Sequence, residues 1–409
     1  MKSLKSHYRL LLGLDESWSV SSVDLSVESN RVSISLEHLG GSVACPDCGA
    51  LCALKDHAPE RSWRHLDTMQ FETILTARVP RTNCDECGVK TMAVSWAAPH
   101  SRFTLMFEAV AIDVLCAARS VSAATKLLRL GWDATHTIMQ RAIDRGLAER
   151  SLDGIRYIGL DEKSFGRGHD YVSVMTDTTG RRVIDVVPER TEAAANQLFE
   201  TLSSKQKEEI QAVSIDMWPA YENSVRSNVP NAQIVYDKFH IAKYLNEAVD
   251  QVRRAEHKQL KSEGDDRLKG TRQLWLYHPE NMSDDRNEVL ADLKDQQLKT
   301  ARAWALKDYF RWFWASKNEN VAKEFFDDWY AWAIRSRLAP VKKVAKMLKR
   351  RLDNILTWFT HPISNATAEG FNSRIQSLKF NARGFRNFNN YKTRILFFCG
   401  KLKLKPDLT

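Results

Sequence analysis

Two Cys-x-x-Cys pairs do more than any other feature to limit how the first hundred residues can fold. They read Cys45-Pro46-Asp47-Cys48-Gly49 and Cys84-Asp85-Glu86-Cys87-Gly88. Each is a tight turn ending in glycine that points two thiolates at one place. Two such knuckles supply the four sulfurs of a tetrahedral structural zinc site. The 35 residues between Cys48 and Cys84 exceed the usual finger spacing and include strand-like text at 71–79. The pattern predicts a zinc ribbon, ligated by Cys45, Cys48, Cys84 and Cys87, with its knuckles joined by a β-hairpin. The alternative is a redox dithiol, but the βαβ context of that motif is missing. Cys52 is either a substitute ligand or a bystander, and His57 and His65 can ligate or simply pack. The seven cysteines are an odd number, four of them in the pairs, which argues against a secreted disulfide framework.

Composition bears on compartment and partner. The 409 residues suffice for two or three domains. Lys+Arg 60 against Asp+Glu 51 leaves a net +9, which leans toward a polyanion. No apolar run approaches the ~18 residues of a membrane span. The triplet Leu10-Leu11-Leu12 is too short for a signal peptide, so the expected location is the cytoplasm.

Residues 105–150 turn helical. Phe107, Val110, Val114 and Leu115 keep a 3.6-residue period. A turn at Leu130-Gly131 precedes a second helix starting near Ala134, with Ile138 and Ala142 on one face and Arg141 and Arg145 on another. Helix, short glycine turn and basic helix predict a helix-turn-helix, or else a hairpin that packs between domains.

After Gly154 the text becomes strand-rich. Strands are expected at 155–160, 171–175 and 182–187, close enough in sequence for an antiparallel meander, with a turn at Gly166-Arg167-Gly168. An amphipathic helix at 191–202, strands at 210–215 and 232–236, and a helix at 240–254 follow. This order predicts an α/β RNase H-like fold. Two of its strands end in acids, Gly159-Leu160-Asp161 and Ser214-Ile215-Asp216, and adjacent parallel strands would place both carboxylates side by side. A third acid, Glu369, lies far downstream on a helix that Ser364 or Asn365 can cap. It shares a face with Asn372, Ser373 and Gln376, opposite the apolar stripe of Phe371, Ile375 and Leu378. Three such carboxylates suit two Mg²⁺ or Mn²⁺ ions that cut and join phosphodiesters. Each alone is equally a turn former, a cap or a solvated acid. A strand end also suits Lys163 as an exposed hairpin lysine or a phosphate contact.

Between these parts lie about a hundred residues rich in helix formers, with Trp304, Trp312, Trp314, Trp329 and Trp332. They read as the core of a helical insertion, with one or two rings available to stack on bases. Lys342, Lys343, Lys346, Lys349, Arg350 and Arg351 form a basic helical run, either a solvated face or a phosphate track.

The paired knuckles, the helix-turn-helix, Gly159-Leu160-Asp161-Glu162, Ser214-Ile215-Asp216-Met217-Trp218 and Asp237-Lys238-Phe239-His240 together carry a family resemblance. Asn365-Ala366-Thr367-Ala368-Glu369-Gly370 and Ala382-Arg383-Gly384-Phe385 complete it. Over nearly its whole length the chain resembles a DDE-type bacterial insertion-sequence transposase of the ISL-three family. The resemblance places the triad on Asp161, Asp216 and Glu369, and matches His240 to a histidine that follows strand five. His240 then either orients a water or contacts phosphate, or packs at its helix start. It implies metal-dependent cleavage at the terminal repeats and transfer of the 3′-OH into target DNA. The partners implied are double-stranded DNA, as element ends and target, and further copies of the chain in a dimer or higher oligomer. Implied domains are a zinc ribbon at 1–100, a helix-turn-helix at 101–150, the catalytic domain at 151–255 and 356–409, and a helical insertion at 256–355. The rivals are a non-catalytic zinc-ribbon regulator and a nuclease that cuts without joining.

Overall fold

A computed structural model describes residues 4–118, 120–166, 170–363 and 366–408, the side chains of 366–369 excepted. The chain divides into two units, Met1–Arg150 with Leu402–Thr409, and Ser151–Lys401.

The first unit opens with a short helix, α1 (Leu4–Leu11), and two four-stranded sheets. Its strands are β1 (Trp18–Ser26), β2 (Arg31–His38), β3 (Ser42–Ala44), β4 (Leu51–His57), β5 (Arg61–Thr68), β6 (Phe71–Ala77), β7 (Pro80–Cys84) and β8 (Gly88–Thr91). One sheet runs β1-β2-β6-β5, the other β3-β4-β7-β8. The ribbon's knuckles are therefore not joined by one hairpin of the ribbon itself. The chain leaves after β4, lays β5 and β6 beside β2, and returns as β7, which pairs antiparallel with β4. The physical reason is burial. Trp63 and Leu75 of the excursion are fully buried with Trp18 and Ile34, and Trp96 meets Trp18 edge to face at 4.7 Å. Strand β4 buries none of its side chains and offers no such core.

Three helices follow: α2 (Leu105–Ala117), α3 (Val121–Leu128) and α4 (Trp132–Ala148). Thr104 caps α2 by accepting from Phe107 N–H, and Ser120 caps α3 by accepting from Ala123 N–H. Arg129, at φ +53°, ends α3 in the left-handed conformation. Ala111, Ile112, Leu115, Ala124, Ile138 and Met139 are buried. The arginines expected on a basic outer face are engaged inside the unit. Arg145 and Arg141 both pair with the buried carboxylate of Glu108, at 3.0 Å and 3.4 Å. Leu402, Lys403 and Leu404, grouped by sequence with the end of the catalytic domain, pack on this helix. Arg145 donates to the Leu404 carbonyl at 2.6 Å. Gly146 permits the approach, since a Cβ there would lie 2.6 Å from Leu402 Cβ.

The second unit holds a five-stranded sheet of order β11-β10-β9-β12-β13. These are β9 (Tyr157–Ser164), β10 (Tyr171–Asp177), β11 (Arg182–Pro188), β12 (Ala212–Ile215) and β13 (Gln233–Tyr236). The first three form the antiparallel meander, and β12 runs parallel to both β9 and β13. That is the RNase H-like order. Helices α5 (Glu192–Phe199), α6 (Ser204–Glu209) and α7 (Pro219–Asn228) flank β12, and the 25-residue α8 (Lys238–Ser262) follows β13. Ile158, Leu160, Val213 and Ile215 enter one continuous core with Leu198, Phe199 and Ile241.

The insertion contributes α9 (Arg272–Leu276), α10 (Asp284–Lys294), α11 (Lys299–Phe310), α12 (Glu319–Arg335), α13 (Ala339–Arg350) and α14 (Leu352–Leu356). Trp304 and Trp329 are buried in it, while Trp312 and Trp332 are exposed. Helix α13 buries Val341, Val344, Ala345 and Leu348 and turns Lys343, Lys346, Lys349 and Arg350 to solvent. Two last helices, α15 (Ala366–Asn381) and α16 (Phe388–Cys399), return to the sheet unit. Among the described residues no helix is long and apolar enough to cross a membrane.

Candidate catalytic site and metal centres

Strand β9 does not stop at Leu160, as the text suggests, but continues through Asp161 to Ser164, because Asp161, Glu162 and Lys163 pair with Val174, Ser173 and Val172 of β10. Its parallel partner β12 is shorter, and their pairing ends at Gly159 and Ser214. Asp161 and Asp216 lie two residues beyond that last pair, side by side where the sheet has lost a strand. Alternation turns both away from Leu160 and Ile215, which fill the core. Asp161, Asp216 and His240 each offer a ligand atom within 4.8 Å of the others.

Each carboxylate is met by nitrogen donors. Asp161 Oδ1 accepts the Glu162 N–H at 2.7 Å. Its Oδ2 faces Lys163 Nζ at 2.8 Å and accepts from Asn372 Nδ2 at 3.1 Å. Asp216 Oδ1 faces His240 Nε2 at 2.6 Å. Burial raises the Asp216 carboxyl above its usual range, and His240 works against it. Burial also opposes charge on His240, but Asp216, with Asp237 and Asp161 behind it, outweighs that and holds the imidazole pKa above its ordinary value. Both directions arise from the same contact under shared burial, so they describe the pair rather than either residue alone. His240 is thus brought to the acids rather than merely packed. Lys163, expected as an exposed hairpin lysine, is largely buried against Asp161.

Helix α15 is aligned on the same strand. Asn372 touches Asp161, and Lys379 donates to the Ser164 carbonyl at 2.9 Å. Seven helical residues at ~1.5 Å and three strand residues at ~3.3 Å both span about 10 Å, so helix and strand run together from the acids. Glu369 lies on this helix, but its side chain, with Ser364 and Asn365, lies outside the described residues. Asn372 was legible only as a member of Glu369's helix face. The Arg190 cluster carried no sequence signal. Arg190 pairs with Glu162 at 3.0 Å and lies over the rings of Tyr171 and Trp218 at 4.3 Å and 4.9 Å.

The acid site fits a hard divalent cation. Its carboxylates converge where the partner strand ends, and the Lys163 ammonium and the His240 imidazole stand at the oxygens a metal would occupy.

In the first unit, the sulfurs of Cys45, Cys48, Cys84 and Cys87 lie within 4.8 Å of one another, with Cys48 and Cys84 at 3.6 Å. Gly49 and Gly88, at φ +75° and +71°, close the two knuckles in a conformation that disfavours side chains. Backbone N–H groups of Cys87 and Glu86 hold the Cys84 thiol down to about 7. The Cys48 sulfur and burial push Cys87 up to about 12. Sulfurs this close resist joint ionisation unless a cation binds them, which fits Zn²⁺. Cys52 is not one of the four mutually close sulfurs; its thiol is directed at the Ala50 carbonyl at 3.3 Å, and burial, with the neighbouring Cys84 sulfur second, pushes it up to about 11. His65 contacts Thr104 Oγ1 at 2.9 Å, and His57 sits in β4 opposite Pro80. Neither joins the sulfurs.

Three sequence families match in succession. The one described as zinc-finger of transposase IS204/IS1001/IS1096/IS1165 covers residues 41–87, and the helix-turn-helix domain of transposase family ISL3 covers 92–143. The ISL3 family described as transposase covers 158–395, more than half the chain. The chain belongs to the ISL3 transposase family. Among its relatives, the transposase for insertion sequence element IS1001 of Bordetella parapertussis is 29% identical over 381 residues, 92% of this chain and 94% of that protein. The transposase for insertion sequence element IS1557 of Mycobacterium tuberculosis is 28% identical over 370 residues, 84% of this chain and 82% of that protein. In this ISL3 transposase the four cysteines fall within or at the edge of the zinc-finger match, and Asp161, Asp216 and Glu369 all fall within the catalytic match.

Proposed function

We propose that this protein binds the terminal inverted repeats of its insertion sequence, cleaves the DNA ends, and joins the freed 3′-OH ends to target DNA. The observation that carries the reading is the meeting of buried Asp161 and partly buried Asp216 with His240, where α15 is anchored on Asp161 through Asn372. A residue three positions before Asn372 shares its helix face, which makes Glu369 the natural third carboxylate.

Asp161, Asp216 and Glu369 would hold Mg²⁺ or Mn²⁺. Bound there, two such ions would stabilise the attacking and leaving oxygens of an in-line displacement. Lys163 partly neutralises Asp161 and would be released toward a phosphate when a cation binds. His240 holds Asp216 in place and supplies a proton-bearing nitrogen at the same point. Cys45, Cys48, Cys84 and Cys87 would hold one structural Zn²⁺. The helix-turn-helix would read the ends in the major groove, and the reaction would take place on cytoplasmic, nucleoid-associated DNA with two or more copies of the chain.

The test uses full-length protein with end-containing duplex DNA in Mg²⁺. Asp161→Asn, Asp216→Asn and Glu369→Gln should each abolish strand cleavage and leave end binding within about threefold, since each removes a ligand charge with little change of shape. Full cleavage by any of the three removes that residue from the site. Cleavage without joining by the unaltered protein would favour a nuclease, and binding without cleavage a regulator.

A further inference from the structure

The segment Ala382-Arg383-Gly384-Phe385 takes no part in the site described above. It ends α15. The N–H groups of Ala382, Arg383 and Gly384 return to the carbonyls of Leu378, Phe380 and Lys379. Arg383 and Gly384 both take positive φ, +55° and +93°. This stop turns Phe385 inward, 4.9 Å from the ring of fully buried Tyr391, which also packs with Phe165 at 5.4 Å. The anchored turn leaves Arg383 exposed, without an ion pair among the described residues. Beside it Phe380 is 84% exposed, the most exposed aromatic ring among the described residues.

Between α15 and the end of β9 lies an open groove of about 920 Å³ lined by Phe165, Gln376, Lys379, Phe380, Arg383 and Phe385. Its described lining carries two cations and no carboxylate. It lies along the helix from the catalytic acids, eight residues from Asn372 to Phe380, or about 12 Å at ~1.5 Å per residue. That is roughly three nucleotides at the ~3.4 Å spacing of one DNA strand.

We propose that this groove binds an unpaired stretch of the DNA strand that passes through the catalytic site, with a base stacked on Phe380 and a phosphate held by Arg383. The inference rests on the transposase reading. An exposed ring beside a guanidinium without an ion pair among the described residues, in a groove whose described lining carries no carboxylate, is the combination that holds single-stranded nucleic acid: stacking for any base, a cation for the backbone. The two cations of that described lining, unmatched there by a carboxylate, favour a polyanion over a protein segment.

The experiment measures binding of full-length protein, in EDTA, to two fluorescein-labelled end duplexes. One is blunt and the other carries a short unpaired extension with 2-aminopurine. The unaltered protein should prefer the extended duplex and change the 2-aminopurine emission. Phe380→Ala should reduce that preference by about fivefold or more and abolish the emission change, since stacking on an aromatic side chain dominates such contacts. Arg383→Asn, which tolerates the left-handed backbone, should lower the salt slope for the extended duplex by about one and leave the blunt duplex unchanged. An unchanged preference in both variants overturns the inference and assigns the groove to another occupant, a protein segment included. So does an unaltered protein with no preference. Cleavage of its own ends in Mg²⁺ is scored separately: if the unaltered protein cleaves while the variants bind as it does, only the groove assignment fails. If it does not cleave, the transposase reading fails with it.

Discussion

Replacing Arg145 by methionine should destabilise the helix-turn-helix rather than merely weaken DNA binding. By sequence, Arg145 belongs to an outward basic face. In the structure its guanidinium is 19% exposed and pairs with Glu108, whose side chain is 1% exposed, while a second nitrogen donates to the Leu404 carbonyl. Methionine keeps the length of the stem and removes both donors. Glu108 would retain Ser101 Oγ at 3.0 Å and the longer contact to Arg141. A hydrogen bond to a buried charged group contributes about 1.5–3 kcal/mol and an ordinary one about 1 kcal/mol, so the loss is about 3 kcal/mol. At ~1.4 kcal/mol per factor of ten, this corresponds to roughly a hundredfold faster exchange for amides that open with the unit. Hydrogen exchange with peptide-level readout on the full chain checks it, over Leu105–Ala117, Val121–Leu128 and Trp132–Ala148. Glu108→Gln combined with Arg145→Met should recover part of the loss, because no buried charge is then left without its partner. Unchanged exchange in Arg145→Met together with weaker, less salt-dependent DNA binding would refute the reasoning and return Arg145 to the DNA-contacting face.

Elemental analysis should find one zinc per chain, and Cys84→Ser should lose it and expose β3, β4, β7 and β8 to exchange, because the ribbon sheet has little core of its own; a zinc-free protein with a protected ribbon would refute this. Burial first, and Arg64 second, hold His65 down to about 4, so the folded state refuses a proton that the unfolded chain accepts between about pH 4 and 6.5. Stability from this group is complete above pH 6.5 and is lost as pH falls toward 4. The first unit should weaken by about 2 kcal/mol from pH 6.5 to 5, and denaturant titrations of His65→Gln should show a flatter dependence. Replacing Lys342, Lys343, Lys346 and Arg350 with glutamine should weaken binding to end and random DNA alike and flatten the salt dependence, whereas an effect confined to end DNA would make α13 a reader of sequence.

The fold class was legible in the residues for identifiable reasons, and so were the candidate site residues Asp161, Asp216 and His240 that the structure brings together. Cys-x-x-Cys pairs, strand-length apolar runs and a period-two pattern ending in aspartate are local signals, and local signals survive in a one-dimensional text. The three meander strands follow from spacing, because short connections leave few topologies, and the parallel strand that leads to Asp216 follows from the fold class their order implies. What the text hid depends on contacts distant in sequence. The excursion of β5 and β6 out of the ribbon is decided by Trp63 and Leu75 finding Trp18 and Ile34, a core no single segment reveals. Strand β9 runs past Asp161 because β10 pairs with it, while β12 stops short, and that mismatch in length opens the space where the acids meet His240.

Charge was the least legible property. Arg141, Arg145 and Lys163 all look like surface cations, yet the two arginines face the buried Glu108 of another helix, and Lys163 folds back on the buried Asp161 of its own strand. Residue type and periodicity determined which elements form and which side chains could carry chemistry. Only tertiary packing decided which charges are used up in holding the protein together and which, like Arg383 on its exposed turn, remain for a partner. An ion pair depends on what stands opposite, and a sequence does not state that.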